Sequence, residues 1–246
     1  MMNNNVETIS ATEVTGLTVF GGYPEYSSKL AQQGISQHRA LLQILLHANG
    51  TFSGYGTGGI PVISGQDNYV ERGEKISKPL TPHLLLTAIP DAVVDRRVAV
   101  DFKPPSPKNA DEEKVQTILD GFRLQTVLTS MVLAHEYHVA TVTAIVFQYK
   151  TEIAHICIGA MQSMWSDLDR MCQYAHEIIT NQNMLGADGK REKKQRETLQ
   201  RSFFDPVPIS PYRRDQMNKD TSGIGERFFE IYGQFRSQAK HEFQQV

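Results

Sequence analysis

Between positions 108 and 205 the chain has no proline, and over about 65 residues of that span its apolar residues recur at steps of three and four. The series runs through Val115, Ile118, Leu119, Phe122, Leu128, Met131 and Val132. It resumes at Val139, Val142, Val146 and Tyr149 and continues through Ile156, Cys157, Met164, Leu168, Met171, Cys172 and Ile178. As one helix it would be about 100 Å long. A chain of 246 residues packs such a length better by folding it back, so the pattern predicts a long helical hairpin over 111–185, with breaks near 136–141 and at Gly159. A strand over 139–149 is the competing reading, because Val-Thr-Ala-Ile-Val-Phe at 142–147 prefers extended backbone. The 26 residues between Arg123 and Lys150 hold one formal charge, Glu136. With His135 and His138 beside it, this stretch reads as a buried helix rather than a membrane span.

The flanks read differently. Residues 1–15 are predicted to be a flexible N-terminus, followed by a short strand at 16–20 and a helix over 27–49. From 51 to 110 glycine and proline recur throughout, and short β-like runs at 60–64, 84–89 and 93–102 predict a small antiparallel region with long loops. In the last run Val94, Val98 and Val100 share one face, and the other is half polar, which suits a sheet with one side in water. Pro104, Pro105 and Pro107 make a stiff linker. Asp111 is placed to cap the next helix, with Glu112 and Glu113 in its first turn. The domains expected are therefore 1–15, 16–110, 111–185 and 186–246, the last a basic, proline-containing arm ending in an amphipathic helix from Ile224. The fold class expected is α+β and helix-dominant, a long helical hairpin or bundle joined to the Gly/Pro-rich β region.

Composition narrows the function classes. Hydrophobic residues at 40% and charged residues at 21% suffice for a packed core and exclude collagen, a disulfide scaffold and a mainly disordered chain. A formal net charge of -2 gives no global field for nucleic acid or membrane. The segment 186–246 is locally basic, with 12 basic against 9 acidic residues. The first 28 residues contain no Lys, Arg or apolar run, so no signal peptide is expected. A cytoplasmic location and free, buried thiols at Cys157 and Cys172 follow as expectations.

Candidate sites are few. On the last helix Phe228, Tyr232, Phe235 and Phe243 form an apolar face for a partner or for the chain's own bundle. Gly56 and Gly58 lie in the glycine-rich loop 54–59, which suits a clamp on a partner. Met131, Met161, Met164 and Met171 with Trp165 make a soft stripe that reads as core or as a partner groove. Lys190, Arg191, Lys193, Lys194, Arg196, Arg213 and Arg214 are the residues placed to contact phosphates. His135 and His138, with Glu152 and His155 as a Glu-x-x-His step, are the candidate metal ligands of a helical-bundle enzyme. They fall short of a complete ligand set, so no metal, cofactor or catalytic residue is predicted. The leading expectation is a non-enzymatic interaction subunit of a macromolecular assembly. Its partners would be other protein subunits, including copies of itself, with no membrane. Binding of nucleic acid through 190–214 and the glycine loop is second, and the metal-dependent enzyme third.

Overall fold

The computed structural model of the chain describes residues 6–18, 54–55, 61–62, 70–94, 96, 98–103, 112–138, 143–148, 154–158, 162–180, 223–242 and 244–245. Within these residues the fold is mixed α/β with helix predominating. The expected helix at 27–49, and the loop and basic-arm residues of 56–60 and 186–222, lie outside the described residues.

The first elements are strand β1 (Glu7–Ser10) and helix α1 (Ala11–Gly16). Ser10 and Glu13 form a capping box. The Glu13 amide donates to Ser10 Oγ (3.1 Å) and the Ser10 amide donates to Glu13 Oε2 (2.8 Å). The Ser-x-x-Glu spacing thus satisfies two otherwise orphaned donors and starts the helix at 11. Residues 7–10 are thus a strand and 11–16 a helix, where a flexible segment and the start of a strand were expected, and residues 1–5 and 19–20 lie outside the described residues.

Two larger sheets and one short pair follow. Strands β2 (Gly54–Tyr55) and β3 (Pro61–Val62) pair antiparallel at the ends of the glycine loop. Strands β5 (Ile76–Thr81) and β6 (Leu84–Ala88) form an antiparallel hairpin, and β1 adds to β6 in parallel, Ser10 opposite Thr87. Strands β4 (Val70–Arg72), β7 (Ala92–Val94) and β8 (Val98–Lys103) are antiparallel neighbours. Gly73 lets the chain pass Pro90, whose carbonyl oxygen would stand 1.7 Å from an added Cβ.

The single strand expected at 93–102 is instead a hairpin. Val94 pairs with Val98, and Arg96 turns the corner in left-handed backbone (φ 57) with its guanidinium 5.4 Å from the Tyr137 ring centroid. Val93, Ala99 and Val100 are all buried, so this hairpin is covered on both faces rather than one.

The proline-free segment starts as expected and then departs from expectation. Helix α2 (Glu112–Glu136) opens with Glu112 and Glu113 in its first turn. It does not continue into a helical hairpin. Strands β9 (Thr143–Gln148) and β10 (Ala154–Ile158) come next, then a 3-10 turn (Gln162–Met164) and helix α3 (Trp165–Thr180). Strand β9 lies parallel to β8, Val98 opposite Thr143, and β10 returns antiparallel to β9. The extended preference of residues 142–147 is what this segment follows. Helix α4 (Ile224–Glu242) and the two-residue strand β11 (Gln244–Gln245), paired to β10, complete the described chain.

Helix α2 is the centre of the packing. It touches β5 and β6 of one sheet, β8 and β9 of the other, and both α1 and α4. Every residue from 124 to 134 is buried. Leu124, Leu128, Met131 and Leu133 are among the largest fully buried side chains, each stabilising by roughly 1.5–3 kcal/mol. Asp120, 1% exposed, ties α2 to α4. Its carboxylate accepts from Arg236 Nε (2.7 Å), Arg123 Nη1 (3.1 Å) and Gln116 Nε2 (2.8 Å). Replacing Asp120 by Ala leaves the largely buried Arg123 without this carboxylate. The expected cost is about 3 kcal/mol, at the low end for a buried pair because the Arg236 side chain is 44% exposed. Arg236→Ala is expected to cost less, and urea unfolding midpoints of the two variants measure the order.

Candidate functional site

Titratable side chains reach across in two pairs where α3 meets the sheet of β1, β6 and β5. Helix α3 turns Leu168, Met171, Cys172, Ala175 and Ile178 inward, and their three-and-four spacing is why it docks as it does. Asp169 and His176 stand beside this stripe. Lys78 of β5 donates to Asp169 Oδ2 at 2.5 Å, and His176 Nε2 is 3.0 Å from Glu7 Oε2 on β1. Trp165 packs against the same core, and its indole Nε1, like Asp169 Oδ1, is buried with no hydrogen-bond partner. Cys172 is fully buried and free. Burial, with the Asp169 charge adding to it, raises its thiol pKa far above the ordinary value. A thiol so held stays protonated at neutral pH and is no nucleophile. The two pairs join strand to helix, and Cys172 supplies no nucleophile beside them.

The apolar face expected to meet a partner is turned inward. Phe228 and Phe235 are 0% exposed and Tyr232 is 5% exposed, in the core where α4 packs on α3. The Phe228 and Phe229 rings meet edge-on at 5.1 Å, and Tyr232 stacks with Phe235 at 6.3 Å. Burying a stripe of aromatics inside one chain is the ordinary outcome for an amphipathic helix. As open partner-binding residues, Phe228, Tyr232 and Phe235 are corrected to core. The stripe of Met131, Met164 and Met171 is likewise internal. Met161, Phe243, Gly56 and Gly58 lie outside the described residues.

The predicted metal ligands do not share a helical face. His135 is in the last turn of α2, and His138 lies beyond the helix with left-handed backbone (φ 52), their ring centroids 6.4 Å apart. His155 stands in β10, so the i, i+3 helical geometry that the Glu-x-x-His step needs is not present there. Glu152 lies outside the described residues. Among the described residues no group of three or more His, Cys, Asp or Glu is placed to hold a metal ion, and no helix is long and apolar enough to cross a membrane. The phosphate-contact candidates Lys190, Arg191, Lys193, Lys194, Arg196, Arg213 and Arg214 also lie outside the described residues.

Sequence reasoning missed Lys78, Asp169, His176 and Glu7 as a set. Positions 78 and 169 are brought together by tertiary packing across 91 residues, and no spacing rule reaches that far. Comparison with family models, curated proteins and solved structures finds no match to this chain.

Burial of the α4 face has a pH signature. The Tyr232 phenol is pushed up to about 12 by burial, with a hydrogen bond to Thr18 working the other way. Between pH 10 and 12 the unfolded chain loses this proton while the folded chain keeps it. The associated stability is present in full below pH 10 and is lost as pH rises toward 12. The denaturation midpoint is expected to fall more steeply over that window in the native chain than in Tyr232→Phe, as followed by urea titrations at successive pH values.

Proposed function

We propose that the chain works by contact, as a non-enzymatic subunit of a macromolecular assembly that includes further copies of itself. The observation that supports this reading is the use made of its long-range polar contacts. Lys78–Asp169 joins β5 to α3, His176–Glu7 joins α3 to β1, and Arg236–Asp120 joins α4 to α2. Side chains used in this way hold a frame rigid, and a rigid frame suits a part that must present fixed surfaces to its neighbours. In this reading α2, α3 and α4 act as a small helical bundle laid against the sheets. The contact elements are the glycine loop 54–59 and Phe243, while Phe228, Tyr232 and Phe235 hold the bundle together.

Size-exclusion chromatography with light scattering, on protein purified without nuclease and read at 260 and 280 nm, tests the proposal. The expected result is a mass that is a multiple of 27.7 kDa, or a complex with another protein, at a protein-like absorbance ratio. A stable monomer with nothing co-purifying would contradict it. A nucleic-acid-rich peak that collapses to free protein in high salt would replace it with nucleic-acid binding through 190–214.

A further inference from the structure

Beyond this frame, the described residues enclose a half-polar cleft of about 290 Å³, just below the range for small-molecule sites, roughly 300–1,000 Å³. It opens where the parallel strands β1 and β6 end, in front of the middle of α2. Five hydroxyl-bearing residues are among those lining it: Thr8 and Ser10 from β1, Thr12 from α1, Thr87 from β6 and Thr129 from α2.

Thr129 distinguishes the cleft from an ordinary surface dent. Three other hydroxyls on α2 return their protons to the helix. Thr117 donates to the Glu113 carbonyl at 2.9 Å, Thr126 to Phe122 at 2.8 Å and Ser130 to Thr126 at 2.9 Å. Thr129 is 5% exposed and has no such bond among the described residues, and its side chain lines the cleft. Thr87, 6% exposed, makes only a long contact of 3.5 Å to the Ile9 carbonyl. The Thr129 hydroxyl is therefore open to the cleft, where a bound molecule would take the place of water as its partner.

The lining also indicates the ligand's chemistry. Hydroxyls both donate and accept, so they match a ligand that does the same. Gln125 adds an amide at the floor. The two formal charges, Glu13 and Lys75, are opposite in sign, which leaves no net field selecting an ion. Glu13 Oε2 already accepts from the Ser10 amide and hydroxyl. At the rim Ile89, 43% exposed, offers an apolar edge for C–H groups. We propose that this cleft binds a small, uncharged, polyhydroxylated molecule of monosaccharide size, with Thr129 and Thr87 as its buried hydrogen-bonding residues.

Saturation-transfer NMR on the full chain with glucose, ribose and myo-inositol as probes tests this. Transfer to the ring protons of at least one probe is expected, with affinity at least tenfold weaker in Thr129→Val and unchanged in Thr117→Val. Because valine keeps the shape and removes only the hydroxyl that is open to the cleft, the melting temperature of Thr129→Val is expected to match that of the native chain. Absence of transfer from all three probes would overturn the proposal and make the cleft a hydrated cavity. Equal binding by native chain and Thr129→Val would overturn the assignment of that residue. A clear fall in melting temperature would show that the hydroxyl already has an internal partner, and would overturn the site with it.

Discussion

Burial of one helix on nearly all sides is the constraint that the rest of this structure satisfies. From 124 to 134 every residue of helix α2 is buried, so each of its faces must meet a different element. Strands β5 and β6 take one part of its surface, β8 and β9 another, and α1 and α4 the remainder. A helix in this position cannot carry a charged face. Of its buried polar residues there, Thr126 and Ser130 bond back to the preceding turn, and Gln125 and Thr129 line the cleft. Its one deeply buried charge, Asp120, is held by two arginines and a glutamine. Without those partners a carboxylate at that depth would be strongly unfavourable.

The remaining helices are fixed relative to this axis by packing and by long-range polar contacts acting together. Helix α4 is set by Phe228, Tyr232 and Phe235 in the core and by Arg236 reaching Asp120. Helix α3 is set by its stripe from Leu168 to Ile178 and by Asp169 and His176 reaching Lys78 and Glu7. The apolar contacts supply most of the free energy, and the polar ones select the register at which the faces meet. The cleft beside β1 is a consequence of the same arrangement, since Gln125 and Thr129 reach it from the helix that everything else surrounds.

Much of this order was legible in the residues, and the exceptions have physical causes. Helix α2 was readable from its apolar content and its acidic first turn. Helices α3 and α4 were readable from stripes such as Leu168, Met171, Cys172, Ala175 and Ile178. The strands at 143–148 and 154–158 were obscured because short continuous apolar runs also contain residues three and four apart. Helix α1, six residues long, is too short to show a periodic apolar face, and its signal lies in the Ser10–Glu13 capping box. The inward turn of Phe228 and Phe235 is a tertiary outcome, since an amphipathic stripe reports that a face will be covered and not by what. The Thr129 cleft was out of reach for the same reason. One threonine without a bond to its helix is invisible until strands from residues 8–10 and 84–88 are brought beside it.

Native-state hydrogen exchange across the chain tests the central place of α2 most directly. If the account holds, the amides of 124–134 are the slowest to exchange, opening only with the free energy of global unfolding measured in urea. Exchange of those amides as fast as, or faster than, the amides of α3 or β6 while the chain stays folded would contradict it.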